Sequence, residues 1–329
     1  LSIRKKWVHL PSDSDSTLIF NFVDGVFMNQ INDLMDHIDD ALISVITPTY
    51  NSSNLFLPYR SLLSQTYKNW EWIIYDDGSS DEKTLNMIDQ IALIEPRVRV
   101  IKANHFGSIG HVKHNAFMAA SGKYLVELDH DDELTPWCLS KILEAFCQFP
   151  DAGFAYTDCA EVIGDDHQDA IYPDGWGFGY GSYRTEEFRG RTYQVTNYPS
   201  INSKTVRHIV GMPNHARCWT KEFYNSIDGH NQILFVADDY DLCVRTFLNT
   251  KMIHIQSFGY IQYHHGNNTQ THRNSQIQKI VSLVHRSYEH QIHNRFLELG
   301  VDDFIWRDGM LDWSMENPEQ TPIANYIYS

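Results

Sequence analysis

The sequence predicts an α/β fold in which a mostly parallel β-sheet is flanked by helices and followed by a C-terminal helical extension. Short runs of β-branched residues alternate with helical segments over the first half of the chain, which indicates parallel strands joined by crossover helices. Polar groups follow three of these runs directly, at the position where open α/β sheets bind their ligands. A long helical pattern beyond residue 275 ends at Gly300.

The predicted strands are apolar runs that close in turn residues. The first, ALISVITP, ends at Pro48, and the second, WEWIIYDDGSSD, ends in a Gly-Ser turn. The helix predicted over 134–149 has a clear start, because Thr135 suits the N-cap and Pro136 the first helical position. In chain order the strands are expected at 41–48, 70–81, 97–103, 123–129 and 152–158, and the helices between them at 55–65, up to 94, 109–120 and 134–149.

We expect three parts in this chain of 329 residues. An N-terminal extension or linker covers 1–40, the α/β domain covers 41–275, and a helical extension covers 276–329. Within the domain, 41–158 forms one half and 159–275 the other. The chain starts without a methionine, so we expect additional domains in a longer parent chain. The apolar stripe of the C-terminal helix predicts internal packing or an oligomer contact.

The composition is typical of a soluble globular protein. The formal net charge is −16, which argues against bulk binding to nucleic-acid phosphate or to an anionic bilayer. No run approaches the ~18 apolar residues that span a membrane. The five cysteines form no CxxC pair and are odd in number, so they predict thiols in a reducing, cytoplasmic compartment.

The stretch KYLVELDHDDEL, at 123–134, places four carboxylates within five positions after an apolar run. Like charges this close repel one another, so a folded chain needs a compensating group to hold them together. Carboxylate oxygens are preferred ligands of Mg²⁺ and Mn²⁺. We expect Asp129 and Asp131 to form the ligand-facing pair. Asp132 and Glu133 are expected to turn the chain toward the next helix.

Three segments carry a resemblance to a known family. They are ISVITPTYN, SLLSQTYKNWEWIIYDDGSSD and ASGKYLVELDHDDELTP, in this order and spacing. They resemble the nucleotide-sugar-binding half of family 2 glycosyltransferases, which have the GT-A fold. The resemblance is close over about 41–150, weak beyond that, and resumes over 234–270. It implies a GT-A-like, Rossmann-like sheet and an inverting, metal-dependent transferase.

The resemblance implies that the ends of the first two strands bind the nucleotide, with UDP as the expected one. Pro48, Thr49 and Tyr50 would flank the base. One of Asp76 and Asp77 would accept the imide N–H of a uracil, and the other would cap the following Gly-Ser turn. The sequence leaves open which of the two does which.

The segment GSIGHVKHNAFMAASG departs from the family pattern, which has Arg and Asn where this chain has Lys113 and His114. A cation at 113 can still contact the nucleotide, so Lys113 is a predicted nucleotide-sugar ligand. Lysine lacks the planar fork of arginine, however. The departure therefore bears on the preference for base or sugar and not on the fold.

The resemblance also assigns a metal site. Asp129, with His130 beside it, would face the sugar or ribose, and Asp131 would bind the Mn²⁺ or Mg²⁺ ion that bridges the diphosphate. The tail of YIQYHHGNNTQ resembles a family segment whose histidine can ligate this metal. His265 aligns with that histidine and is the first choice, and His264 is the second.

A general base is predicted from FVADDYDLCVR, which resembles the family's Glu-Asp motif with Asp238 in place of the glutamate. Asp239 aligns with the catalytic aspartate of that motif. A carboxylate beside the acceptor hydroxyl can take its proton while the oxygen attacks the anomeric carbon. Asp239 is therefore the predicted base, and Asp238 is expected near the acceptor or behind the base.

The segment between the two resembling regions, 159–233, is expected to bind the acceptor. YPDGWGFGYGSY is rich in glycine and aromatic residues and contributes Trp176, whose ring can stack on a sugar face. MPNHARCWTKEF contributes His215 and Arg217 as candidates for contact with phosphate.

These expectations together predict the transfer of a hexose-type sugar from a nucleoside diphosphate to a hydroxyl of a glycan or similar acceptor. One alternative is a nucleotidyltransferase on a similar sheet, which would carry a loop rich in Gly, Arg and Lys where this chain has TPTYNSSN. Another is a catalytically inactive nucleotide-sugar-binding module, which would not need both Asp131 and Asp239. The sequence leaves the sugar, the acceptor and the choice of metal open.

Overall fold

A computed structural model describes residues 41–309 apart from gaps at 53, 165–167, 172–181, 199, 209–212 and 266–268. The predicted extension over 1–40 and the predicted acceptor contact Trp176 lie outside the described residues. In the part of the chain that is described, no helix is long and apolar enough to cross a membrane.

One mixed sheet forms the centre of the described chain. In chain order its strands are β1 (Ile43–Thr49), β2 (Trp70–Asp76), β3 (Val98–Lys102), β4 (Tyr124–Glu127), β5 (Glu133–Leu134), β6 (Phe154–Ile163), β7 (Gln168–Asp169), β8 (Tyr183–Phe188), β9 (Arg191–Thr196), β10 (Arg217–Thr220) and β11 (Met252–His264). They lie in the order β3-β2-β1-β4-β10-β6-β11-β5, and β7 and the β8–β9 hairpin pair along β6. The first four of this order run parallel to one another, and β10 is antiparallel to β4 and β6. The predicted fold class is confirmed.

Helices connect the strands and cover the sheet. In chain order they are α1 (Phe56–Leu63), α2 (Glu82–Ile94), α3 (Ile109–Met118), α4 (Cys138–Gln148), α5 (Thr205–His208), α6 (Lys221–Ser226), α7 (Asp238–Asn249), α8 (Thr269–Ser287), α9 (Glu289–Leu299) and α10 (Phe304–Arg307). α2 begins after the Gly-Ser turn because the carboxylate of Asp81 accepts the N–H of Thr84 at 2.9 Å and caps the helix.

The register of the parallel strands brings their polar ends together. Thr49, the last residue of β1, pairs with Asp76 at the end of β2. Ile46 of β1 pairs with Glu127 at the end of β4. Because the carboxyl ends of these three strands share one edge of the sheet, the loops that follow them meet there.

The helix predicted over 134–149 starts later than expected. α4 has Trp137 at its N-cap, and the residues before it form β5. The hydroxyl of Thr135 donates to the carbonyl of Phe258 at 2.8 Å, and its N–H donates to the carbonyl of Gly259 at 2.9 Å. Thr135 therefore joins the chain to β11, and the N-cap position falls two residues later, at Trp137.

The C-terminal helix predicted up to Gly300 is two helices, α8 and α9. Gly300 has a φ of 65° and ends the second, as predicted. The predicted domain boundary at 275 falls inside α8. Apolar residues of these helices pack on α7, in a buried cluster that includes Tyr240, Val244, Phe247, Ile280, Val281, Val284, Ile292 and Phe296. The C-terminal helices thus support the helix that carries the candidate base.

Candidate functional site

Pro48 and Thr49 end β1, and the loop after them is tied to the loop after β2. The carbonyl of Thr49 accepts the N–H of Asp77 at 2.9 Å, and the carboxylate of Asp76 accepts the N–H of Ser79 at 2.9 Å. Asp76 is therefore the member of the pair that caps the Gly-Ser turn. The hydroxyl of Thr49 is buried and has no hydrogen-bond partner among the described residues, so it is available to form a hydrogen bond with a ligand.

Asp77 is tied to the loop after β3. Its two carboxylate oxygens accept the N–H groups of Phe106 and Gly107 at 2.9 and 3.0 Å. His105 Nδ1 lies 2.9 Å from one of these oxygens. Tyr50 is 44% exposed and stacks on the His105 ring with centroids 4.2 Å apart. An aromatic face next to a carboxylate suits both the ring and the N–H edge of a nucleobase.

The acidic turn after β4 has an inner and an outer part. Asp132 is buried, and its oxygens accept the hydroxyl of Tyr260 and the N–H of Tyr263, each at 2.8 Å. Burial and the carboxylates of Asp131 and Asp129 raise the pKa of Asp132 well above its usual value. Asp132 thus anchors the turn to β11, whereas the sequence predicted only that it turns the chain toward the next helix, and the side chains of Asp129 and Asp131 remain 33% and 21% exposed.

Asp131 interacts electrostatically with His130, its neighbour in the turn, and with His265, which follows β11. Burial raises the pKa of Asp131 against the attraction of His130 and His265. His264 is engaged differently, since its Nε2 lies 2.7 Å from a carboxylate oxygen of Glu161. The charge of Asp131 is thus incompletely compensated, with carboxylate and imidazole donors nearby. This donor set fits a divalent cation such as Mn²⁺ or Mg²⁺.

Sequence reasoning missed Glu127, the last residue of β4. Its carboxylate is fully buried, and three cationic or potentially cationic atoms surround it: Lys113 Nζ at 2.5 Å, Arg217 Nη1 at 3.4 Å and His215 Nε2 at 3.4 Å. Burial favours a raised pKa, but these groups hold the pKa of Glu127 well below its usual value. A glutamate inside the apolar run YLVEL was the available signal, because a buried strand carries one only where a cation faces it.

Lys113 lies on α3, and its ammonium group contacts Glu127. Burial disfavours the charge of Lys113, but Glu127 and then Asp238 and Asp129 raise its pKa well above the ordinary value. The structure places Lys113 within this acidic cluster. Its contact with the nucleotide stays a prediction.

Glu127, Asp129 and His215 bring ligand atoms within 4.8 Å of one another, a spacing that a metal ion can bridge. Lys113 already compensates the charge of Glu127, so a metal ion there would be repelled by a fixed ammonium group. His215 is buried and stacks on Tyr260 with ring centroids 4.8 Å apart. Asp129 and Asp131, the partly exposed carboxylates of the turn, therefore fit a metal better than the set of Glu127, Asp129 and His215 does.

Asp238 and Asp239 open α7 after Ala237, whose backbone is left-handed with a φ of 57°. The side chain of Asp239 is 29% exposed. Its Oδ2 accepts a hydrogen bond from Arg217 Nη1 at 3.2 Å, and its Oδ1 accepts a backbone N–H of the same helix at 2.8 Å. The predicted candidates Arg217 and His215 thus lie beside Asp239, and their contact with phosphate stays a prediction.

Asp238 is the buried member of the pair. One carboxylate oxygen lies 3.8 Å from His230 Nε2, and neither atom has a hydrogen-bond partner among the described residues. Burial raises the pKa of Asp238 to about 7, with Lys113 opposing the shift and Asp239 adding to it. Burial lowers the pKa of His230 well below its ordinary value, so this imidazole is neutral.

Asp238 makes the stability of the protein depend on pH. Its pKa of about 7 in the folded state exceeds the unfolded value of about 3.9, so stability falls as pH rises from about 4 to 7. We expect Asp238→Asn, which cannot ionise, to raise the free energy of unfolding by roughly 4 kcal/mol at pH 8 and roughly 1 kcal/mol at pH 5. Urea denaturation at both pH values measures this difference.

Asp302→Asn is the matched control, because the Asp302 side chain is 62% exposed. It should change the free energy of unfolding by a similar small amount at both pH values. Equal effects of Asp238→Asn at the two pH values would contradict the raised pKa.

Comparison with known proteins agrees with this geometry. The sequence model described as Glycosyl transferase family 2 matches residues 44–203. The chain is 27% identical over 229 residues to a chondroitin synthase of Escherichia coli, an alignment that covers 69% of this chain and 30% of that protein. It is 32% identical over 95 residues to the UDP-Glc:alpha-D-GlcNAc-diphosphoundecaprenol beta-1,3-glucosyltransferase WfgD of E. coli, which covers 29% of this chain and 36% of that protein. The chain spans about a third of the length of each of these relatives.

The fold also resembles that of a solved structure. S. aureus TarS 1-349 in complex with UDP-GlcNAc superposes with a TM-score of 0.53 at 15% identity, covering 75% of this chain and 73% of that one. The similarity supports the predicted GT-A-like arrangement of a mostly parallel sheet and flanking helices. The matched range 44–203 contains β1, β2 and β4 and the loops after them, whereas Arg217, α7 and β11 lie outside it. Residues 44–203 of this chain therefore match glycosyltransferase family 2, the family that the sequence motifs resemble.

Proposed function

We propose that the protein is an inverting glycosyltransferase that moves a hexose-type sugar from UDP to a hydroxyl of a glycan or similar acceptor. The observation that carries this proposal is the meeting of two predicted motifs. Glu127, at the end of β4 and two residues before Asp129, and Asp239, in the first turn of α7, both contact Arg217. A donor site and a candidate base are thus neighbours in the fold.

The nucleotide would bind at the ends of β1 and β2. The stacked rings of Tyr50 and His105 offer a surface for the base, and Asp77 lies at its edge. The names of two similar proteins favour UDP as the nucleotide, since the TarS complex contains UDP-GlcNAc and WfgD is named for UDP-Glc. Lys113 stays a candidate ligand of the nucleotide sugar.

Asp131 and His265, with Asp129 beside them, would hold the metal. A Mn²⁺ or Mg²⁺ ion bound there would neutralise charge on the diphosphate leaving group. Asp129 and His130 lie on the same turn and would orient the sugar. Asp132 keeps this turn fixed to β11 through its two tyrosine contacts.

Asp239 would act as the general base. Its exposed carboxylate would take the proton of the acceptor hydroxyl as that oxygen forms a bond to the anomeric carbon. The bond from this carbon to the diphosphate would break at the same time, and its electron pair would leave with UDP. Attack from the face opposite the leaving group inverts the anomeric centre. We place the reaction in the cytoplasm, on the ground of five free thiols.

A panel of nucleotide sugars tests the proposal. The full chain with Mn²⁺ should release UDP slowly from at least one of UDP-glucose, UDP-galactose, UDP-GlcNAc, UDP-GalNAc and UDP-glucuronate, because water can replace a missing acceptor. GDP-mannose is the control for the nucleotide and should not react. Formation of pyrophosphate from UTP and a sugar 1-phosphate, without UDP release from any donor, would instead identify a nucleotidyltransferase.

A further inference from the structure

Glu127 is linked to Asp239 through one guanidinium group. Arg217 Nη1 lies 3.4 Å from Glu127 Oε2 and 3.2 Å from Asp239 Oδ2, and Arg217 Nε donates to the carbonyl of Pro213 at 2.8 Å. Arg217 is 2% exposed, so packing holds its side chain in place. A planar guanidinium between two carboxylates determines how far apart they lie.

Lys113 holds the other side of Glu127. A fully buried carboxylate is strongly destabilising unless a cation and hydrogen bonds compensate it, and Lys113 Nζ at 2.5 Å meets this need. Lys113 comes from α3 and Arg217 from β10, so two separate elements hold Glu127. Because Arg217 contacts both Glu127 and Asp239, its positive charge is divided between two carboxylates and does not fully neutralise Asp239.

We propose that Glu127 is a positioning residue for the transfer reaction, holding the Asp239 carboxylate through Arg217 at the place where the acceptor hydroxyl loses its proton. This inference rests on the proposed role of Asp239 as the base. Glu127 is buried behind Arg217 and Lys113, so it acts through them. Misplacing a reacting group by about 1 Å can cost about 100-fold in rate, which sets the scale of the expected effect.

A role for Glu127 as a metal ligand, with Asp129 and His215, would give a different result. Loss of a metal ligand weakens the binding of the metal and of UDP in its presence. Loss of a positioning residue lowers kcat and leaves this binding intact. The two roles are therefore separable by measuring kcat, the KM of the donor and the affinity for UDP with Mn²⁺.

Glu127→Gln keeps the shape of the side chain and removes its charge. With the UDP-sugar that the wild-type chain turns over, we expect kcat to fall about 10- to 100-fold. The donor KM and the calorimetric Kd for UDP with Mn²⁺ should stay within about threefold of the wild-type values. A rise in that Kd with unchanged kcat would overturn the proposal in favour of a metal-ligand role.

The double variant Glu127→Gln with Asp239→Asn tests whether Glu127 acts through the base. If it does, Glu127→Gln should change kcat less than about twofold once Asp239 is already asparagine. An equal loss in both backgrounds would overturn the proposal. An inactive Asp239→Asn with a fully active Glu127→Gln would refute only the positioning role. An active Asp239→Asn would refute the base itself.

Arg217→Lys provides a second variant in case Glu127→Gln does not fold. It keeps a positive charge but loses the Nε–H that donates to Pro213, and with it the planar group that fixes Nη1 between Glu127 and Asp239. It should fold, as followed by thermal unfolding, and should lower kcat with little change in the Kd for UDP. A folded Arg217→Lys with wild-type kcat would contradict the proposal.

Discussion

Asp239→Asn is expected to lower kcat by about 10²- to 10⁴-fold, the usual contribution of a general base. The substitution keeps the size of the side chain and removes its capacity to accept a proton. The amide oxygen can still accept the hydrogen bond from Arg217 Nη1, now 3.2 Å from the carboxylate, and the substitution loses only the acceptor for the N–H of Tyr240. The measurement is the rate of UDP release from the donor that the wild-type chain turns over, with calorimetry of UDP in Mn²⁺ alongside.

The calorimetric Kd for UDP should be unchanged in Asp239→Asn, because the proposed nucleotide contacts lie at the ends of β1 and β2. Glu222→Gln is the matched control, since Glu222 is an exposed acidic residue in the first turn of another helix, α6. It should have wild-type kcat. Wild-type turnover by Asp239→Asn would show that Asp239 is not the general base. That result would not bear on the donor site, which the Asp131 variant tests separately.

Asp131→Ala is expected to abolish the dependence of UDP binding on metal. We expect wild-type protein to bind UDP more tightly with Mn²⁺ than with EDTA. In Mn²⁺, the variant should bind UDP at least about 10-fold more weakly than the wild-type protein does. Mutation of residues that only support the metal ligands already lowers metal affinity by about this factor, so loss of a ligand should have at least as large an effect. The variant should fold, because the Asp131 side chain is 21% exposed and Asp132, not Asp131, anchors the turn. Calorimetry with and without Mn²⁺ measures both quantities.

Two further alanine variants decide between the neighbouring histidines. His265→Ala should weaken UDP binding in Mn²⁺, whereas His264→Ala should not, because His264 is bound to Glu161. Asp151→Ala is the control for loss of an acidic side chain, as the Asp151 side chain is 67% exposed and pairs with Lys251. If UDP binding by Asp131→Ala still depends on metal, the metal must bind elsewhere in the site.

The strands of the nucleotide half were predictable because their evidence is local. Each is an apolar run that ends in turn residues, and each occurs within a few residues of its predicted position. The Gly-Ser turn after β2 likewise follows from neighbouring residues, with Asp76 and Asp81 accepting backbone N–H groups three positions ahead. Local chemistry of this kind is readable in one sequence.

The start of α4 was predicted wrongly because the rules for helix starts use only neighbouring residues, whereas Thr135 binds residues that are distant in the sequence. Thr135 and Pro136 form a good helix start by themselves. Phe258 and Gly259, more than 120 residues away in the sequence, instead bind the hydroxyl and the N–H of Thr135. Other residues of the same strand, Tyr260 and Tyr263, bind Asp132. Asp132 is therefore buried, whereas the two carboxylates that precede it are partly exposed.

Glu127 could not be assigned a role from the sequence, although it stands two positions before Asp129. Its partners Lys113 and Arg217 lie 14 and 90 residues away, and only folding brings them together. The departure from the family at Lys113 has a physical counterpart here, since the lysine pairs with Glu127. Lys113, whose departure from the family pattern bears on nucleotide recognition, also belongs to the proposed support of Asp239.

By itself, the sequence determined the fold class, the strand ends that form the site, and the family motifs that contain Asp131 and Asp239. These follow from alternation, turn residues and spacing, all of which act over short distances along the chain. Only the tertiary structure decided that Asp76 caps its turn, that Asp238 is buried beside a neutral His230, and that Arg217 joins Glu127 to Asp239. Those features depend on burial and on charges from distant segments, and burial and charge pairing exist only once the chain has folded.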